Sequence, residues 1–206
     1  MKKFLVPILA LILLTVATTT FAEPAESETD ARPVRIARVP IIFQSTVPDE
    51  KTCEALETKI KRAIHIPLNG YLQVAEYLPM DNTARELNDL WQGLKAGNKK
   101  AKLADAMRPL ADRLDADIIV CPVLVKYSQY VVGFSTWSGE QYIDSNAEVE
   151  LIVYDRRTDD LRDKVASRMH HDTMSALGTA PYLANVCFDI VIEATKIREL
   201  IHAIGR

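Results

Sequence analysis

The chain of 206 residues predicts an α/β domain of the α+β kind, in the order β-α-β-α-β-β-β-α. A mixed sheet carries a long C-terminal helix packed on it. Three features of the pattern predict this. Short β-branched runs alternate with segments of helical period through the first half of the domain, which implies crossovers. Three strand-like segments then follow in succession across polar turns, which implies a meander. The last segment carries a single apolar stripe of helical period.

Val34, Ile36, Val39, Ile41, Ile42 and Phe43 make the first strand, partly alternating and then continuously apolar, as for a strand buried on both faces at its far end. Pro40 removes a ladder donor and predicts an edge or a bulge there. Thr46, Pro48, Asp49 and Glu50 form a helix start, with acids in the first turn favoured by the helix dipole. Cys53, Leu56, Ile60, Ala63 and Ile64 keep one face apolar until Pro67. Asn69-Gly70 predicts a turn into a second strand over Tyr71 to Leu78, after which Asp81 or Asn82 caps a helix bearing Leu87, Leu90, Trp91 and Leu94. Gly97-Asn98 breaks that helix. Leu103, Met107, Leu110 and Leu114 resume the helical spacing, with a kink or fresh start at Pro109.

Ala116 to Tyr127 is the strongest strand pattern and is expected near the centre of the sheet, with Pro122 marking a bulge. A long hairpin follows: Ser128 to Val132, a tip over Gly133 to Gly139, and a return over Tyr142 to Tyr154. The polar turn Arg156-Arg157-Thr158-Asp159-Asp160 leads to a last strand, Leu161 to Thr173. Gly178, Thr179 and Pro181 open the final helix, striped by Leu183, Val186, Cys187, Ile190, Val191, Ala194, Ile197, Ile201 and Ile204.

The N-terminus has the order of a secretory signal peptide. Lys2 and Lys3 precede an apolar stretch from Phe4 to Val16, and small residues flank a cut after Ala22. We therefore expect a signal over 1–22, an acidic leader over 23–32 and one globular domain over 33–206. Export by a cleavable signal places the protein in the periplasm or outside the cell, with no membrane span after cleavage. The uncharged run of roughly 19 residues, near the length that spans a bilayer, makes an uncleaved inner-membrane anchor the alternative. The net charge of −3 becomes −5 once Lys2 and Lys3 leave with the signal. A mildly acidic chain without a basic block excludes nucleic acid as its expected partner.

Cys53, Cys121 and Cys187 make an odd set. Cys121 reads as a small buried hydrophobe, and Cys53 and Cys187 can bridge only if their helices are neighbours. None has CxxC spacing, so zinc and thiol-redox sites are not expected.

Several short segments carry a resemblance. Val34-Arg35-Ile36-Ala37-Arg38-Val39-Pro40 looks like the opening strand of a broad envelope-protein superfamily. The group includes the curli-secretion lipoprotein, the outer-membrane activator of penicillin-binding proteins and the N-terminal domain of the Tol translocation protein. Leu114-Asp115-Ala116-Asp117-Ile118-Ile119-Val120 resembles the entry to its third strand, and Val149 to Asp155 with Thr158 its late hairpin. The chain departs from the group in having no lipid-acceptor cysteine near the cut and in having Asp159 where such hairpins often carry glycine. The resemblance implies a non-catalytic domain that binds other envelope proteins, with no active site to carry over.

For chemistry, His170-His171-Asp172 is the best cluster. On a strand His170 and Asp172 share a face and His171 does not, so two ligands remain, too few for a metal without a distant third such as His65 or His202. No metal and no cofactor is expected. Asp155, Asp159, Asp160 and Asp163 fit turn chemistry and a solvated rim. GxSxG, SxxK, HExxH and glycine-rich phosphate-loop motifs are absent from the sequence. Aromatic residues are the sharper signal. They are 7% of the chain, yet Tyr127, Tyr130, Phe134, Trp137 and Tyr142 gather around one hairpin. Rings on such a loop often anchor partners, because they bury large area for little rotamer entropy; the alternative is that the hairpin folds back and the rings complete the core beneath a helix. The expected function is that of an exported, non-catalytic binding or accessory protein of the bacterial envelope. Its contacts are Tyr130, Phe134, Trp137 and Tyr142, and its partner is an envelope protein or a second copy of itself. The alternative is a periplasmic hydrolase or small-ligand binder built on His170 and Asp172.

Overall fold

The computed structural model describes residues 32–134, 139 and 141–204; the expected signal and most of the leader, residues 1–31, and the hairpin tip, residues 135–138 and 140, lie outside the described residues. Residues 32–206 form one compact unit. Its sheet has the strand order β3 (Ala75–Tyr77), β1 (Val34–Arg38), β4 (Ile118–Phe134), β5 (Gln141–Asp155), β6 (Asp160–Thr173), while β2 (Ile42–Phe43) continues β1 along β4. β1 runs parallel to β3 and β4, and β4, β5 and β6 form an antiparallel meander. The mixed sheet and the central β4 follow the expectation from sequence.

The first predicted strand is two strands. Pro40 lies in the gap, where its missing amide ends the ladder. Both halves stay beside β4: the Val39 amide donates to the Val120 carbonyl at 2.9 Å and the Gln44 amide to the Leu124 carbonyl at 3.0 Å. The Ile41 amide, next after Pro40, donates to Glu57 Oε1 at 3.0 Å, and Glu57 also pairs with Arg38. Glu57 lies on α1 (Glu50–Ala63), which Asp49 caps by accepting the Thr52 amide at 3.0 Å.

Four expectations need correction. Tyr71 is not in a strand: Asn69–Leu72 forms a short helix, α2, and the strand begins at Ala75. Leu68 and Gln73 flank α2 with positive φ, 60° and 48°, and the Asn69 amide group bridges the backbone N–H and C=O of Ala75. Neither Asp81 nor Asn82 caps the next helix. That helix, α3 (Met80–Gly97), starts after Pro79, and the buried Thr83 hydroxyl donates back to the Pro79 carbonyl at 3.1 Å. The C-terminal helix is also interrupted, giving α5 (Ala180–Thr195) and α6 (Ile197–His202) with Lys196 between them at φ 53°. The Thr195 hydroxyl bonds to the carbonyls of Val191 and Ile192, and the left-handed Lys196 redirects the stripe so that Ile197 and Ile201 stay buried. The bulge in β4 falls between Leu124 and Lys126, not at Pro122, which remains in register with Leu151.

α4 (Met107–Leu114) follows a 3-10 turn over Leu103–Ala106, with Pro109 in its first turn, where no intrahelical donor is needed. The sheet has cores on both sides. On one side Ile36, Ile118, Val120, Val149, Leu151 and Val153 pack against α1, α5 and α6. On the other, Ala37, Ile119, Cys121, Val123 and Ile152 pack against α3 and α4. The second cover is short. Eight residues of α4 span roughly 12 Å, against roughly 50 Å for the fifteen residues of β5. β5 records the consequence: burial alternates from Ile143 to Glu150 and is continuous from Leu151 to Asp155. Cys53, Cys121 and Cys187 are all free thiols; Cys187 Sγ lies 3.6 Å from the Ala147 carbonyl.

Candidate partner-binding surface

Beyond the reach of α4, one face of the β4–β5–β6 meander has no helix over it among the described residues. Register places Lys126, Ser128 and Tyr130 of β4 on this open face, opposite Glu148, Asn146 and Asp144 of β5. These in turn lie opposite Ser167, Met169 and His171 of β6. Lys126 Nζ pairs with Glu148 at 2.7 Å and His171 Nδ1 lies 3.5 Å from Asp144. Nearer the covered end, Glu150 and Asp163 crowd together. Burial and, next, the Asp163 charge push the Glu150 carboxyl up to about 7, with Lys102 opposing the shift.

Of the aromatics singled out in the sequence, Tyr130 is 66% exposed and Tyr142 39% exposed, both on this face. Tyr142 stands opposite Gly133, just past the second β4 register shift. Trp137 lies outside the described residues, and of Phe134 only the backbone, the last residue of β4, is described. Tyr127 belongs elsewhere: it packs on the core beneath α1, where burial raises its hydroxyl's pKa. The opposite face of the hairpin also runs past its helix. Gln129 Oε1 accepts the Ala180 amide at 2.8 Å and so caps the first residue of α5; two residues on, Val131 is 62% exposed.

His170 and Asp172 occupy one face of β6, as the two-residue spacing requires, and each is engaged locally. His170 Nε2 is 3.2 Å from the Thr173 carbonyl, and Asp172 Oδ1 accepts the Thr173 amide at 2.6 Å. Gly178 passes so close over the His170 ring that a Cβ there would overlap it. His171, Asp144 and Asp163 project from the other face. Among the described residues no three His, Cys, Asp or Glu side chains converge as metal ligands do.

Asp159, where glycine was noted as common, adopts φ 54°. Its carboxylate accepts from the Tyr154 hydroxyl at 2.9 Å and pairs with Arg108, bonds that offset the backbone cost. At the start of β4, Asp115 receives Arg156, Arg32 and Arg35. The Arg156 hydrogen bond, and then the Arg32 charge, hold its carboxyl below the usual range. The neighbouring Asp117 accepts the Arg35 amide at 2.8 Å. This cluster ties Arg32 to the folded unit and is structural.

One cavity was not read from the sequence. A cleft of about 570 Å³ opens where Pro40 separates β1 from β2, between Val39–Ile42 and the α3 residues Leu87, Asn88, Trp91 and Lys95. Lys95 Nζ sits 4.6 Å from the Trp91 ring centroid and donates to the Ala101 carbonyl at 2.9 Å. The Trp91–Lys95 spacing of four on a helix was the available signal.

No family model and no curated protein matches the chain. Among solved structures it is similar to the hypothetical protein CT253 from Chlamydia trachomatis, with 11% identity over 83% of this chain and 99% of that one and a TM-score of 0.46. It is also similar to lipoprotein GNA1162 from Neisseria meningitidis, with 13% identity, 78% and 96% coverage and a TM-score of 0.36. A minor lipoprotein from Acinetobacter baumannii matches with 11% identity, 82% and 92% coverage and a TM-score of 0.29.

Proposed function

We propose that the protein is an exported, non-catalytic binding module of the bacterial cell envelope, and that it docks a protein partner on the open face and tip of its β4–β5 hairpin. The observation that carries this reading is the pair Tyr130 and Tyr142, exposed together on a sheet face that no described helix covers. Tyrosine supplies amphipathic contact area at low entropic cost, and the surrounding Asp144, Asn146 and Glu148 form a polar rim of the kind that borders such anchors. Phe134 and Trp137, singled out in the sequence beside the same hairpin, are included in the proposal on that sequence ground. The export half of the proposal rests on Lys2, Lys3, the apolar run and the small residues before Glu23.

The test uses two double variants, Tyr130→Ser with Tyr142→Ser and Phe134→Ser with Trp137→Ser, expressed with the native signal. Crosslinking in intact cells followed by capture should recover a partner with wild type and lose it with both variants, while circular dichroism and Tm stay as in wild type. Unfolding of the variants would assign the rings to the core and defeat the proposal, as would undiminished capture. N-terminal sequencing of the exported protein should begin at Glu23.

A further inference from the structure

The two edges of the sheet are built differently. β3 has three residues, whereas β6 has fourteen, with no proline and an unbroken register against β5 from Asp160 to Thr173. The Met174 amide donates to the Gln141 carbonyl at 2.7 Å. Gln141 and Met174 thus form a hydrogen-bonded antiparallel pair, and the alternation of such pairs directs the even-numbered residues of β6 to β5. The odd-numbered residues from Leu161 to His171 turn their N–H and C=O groups to the free edge, and among the described residues no hydrogen bond reaches them. Their side chains lie on the open face, where Leu161, Val165 and Met169 are 45%, 58% and 71% exposed. A bare edge of this length is a template for another strand.

We propose that β6 pairs antiparallel with β6 of a second copy about a twofold axis at Ser167, joining two sheets into one. Outward-facing groups must meet outward-facing groups, and opposed residues must share a face, so odd residues oppose odd ones and the axis falls on a residue. Charge then selects among the possible axes. Centred on Val165, the pairing opposes Arg162 to Arg168 of the second copy. Centred on Ala166, it opposes Lys164 to Arg168 and Asp160 to Asp172. Centred on Arg168, two arginines face each other. Centred on Ser167, Val165 meets Met169, Asp163 meets His171 and Arg162 meets Asp172, each contact made twice by the symmetry, while Lys164 falls opposite His170, whose Nε2 is already engaged by the Thr173 carbonyl. Charges of the kind that guard an edge against indiscriminate pairing here act as a register key. His171 of the second copy also brings a basic group to the Glu150–Asp163 pair. The axis is perpendicular to the sheet, so both open faces lie on one side and present two hairpin surfaces to a partner. The pairing does not rest on the hairpin reading.

The experiment measures the mass of the purified exported protein by light scattering and sedimentation, in wild type and in two edge variants. Ser167→Pro removes an outward amide without touching the β5 ladder, and Ser167→Lys sets two lysines against each other on the axis. Wild type should have twice the chain mass and both variants the single-chain mass. In a Cys53→Ser background, Ser167→Cys should crosslink to itself on oxidation and Leu161→Cys should not. A monomeric wild type, a dimer that survives both variants, or equal crosslinking at 161 and 167 would overturn the proposal. If an edge variant fails to fold, the crosslinking comparison decides. Loss of partner capture in the tyrosine variants, with the doubled mass retained, separates the two proposals.

Discussion

The near and far ends of the same strands live in different surroundings. At the near end, β1, the start of β4 and the end of β5 are sandwiched between α1, α5 and α6 on one side and α3 and α4 on the other. At the far end, β4, β5 and β6 have, among the described residues, a helix on one side only, and that helix stops at Gln129. A strand covered twice must be apolar at every residue, while a strand covered once alternates. β5 changes from the second rule to the first at Leu151, and the change marks where the cover on both faces begins.

The largest expected contrast lies within β5. Leu151→Ala and Ile152→Ala empty adjacent positions on opposite faces, both fully buried, and each should cost about 3 kcal/mol. In the far half, Val149→Ala should cost about 2 kcal/mol and the adjacent Glu148→Ala less than about 0.5 kcal/mol. Urea unfolding of the four variants reads the contrast directly. A Glu148→Ala loss equal to that of Val149→Ala would mean that the open face is covered.

Glu150 sits at the boundary and should show a pH signature. Its carboxyl titrates near pH 7 when folded, against a reference of 4.5. The folded chain therefore binds the extra proton between those values, and this group's contribution to stability falls as pH rises through that window. Glu150→Gln should flatten the slope and gain about 1 kcal/mol at pH 8, a fraction of the full shift because the group is half-buried and screened by water. Tm measured from pH 4.5 to 8 tests it; an unchanged slope in the variant would assign the dependence elsewhere.

Smaller effects follow. The Ser145 hydroxyl is buried on the covered face with no hydrogen-bond partner among the described residues, so Ser145→Ala should stabilise the protein by about 1 kcal/mol in chemical denaturation. Asp159→Gly relaxes the positive φ but loses Tyr154 and Arg108. These effects oppose each other, and stability should stay within about 0.5 kcal/mol of wild type.

Local chemistry made much of the fold legible. The run from Ile118 to Val125 identified the central strand, and Asp49 and the spacing of Leu56 and Ile60 identified α1. The misreadings came where a distant partner outweighed a local preference. Asn69-Gly70 has the composition of a turn, yet Asn69 bonds to Ala75 and closes a helical turn instead. Asp81 and Asn82 are good caps, but the chain already turns at Pro79. The stripe from Leu183 to Ile204 is continuous in period, and nothing in that period announces the left-handed Lys196. The candidate surface was half legible: the clustering of Tyr130 and Tyr142 was visible, and their shared open face was not. Tyr127 had the same local appearance and went to the core.

By itself the sequence determined the succession of crossovers and meander, the central strand and the pattern of a secretory signal, because each depends on neighbours within a few residues. The tertiary structure decided which strand faces lack a cover, which edge is bare and which residues meet across strands. Those outcomes depend on the length of one element measured against another, here roughly 12 Å of helix laid on roughly 50 Å of strand, and no local pattern records that comparison.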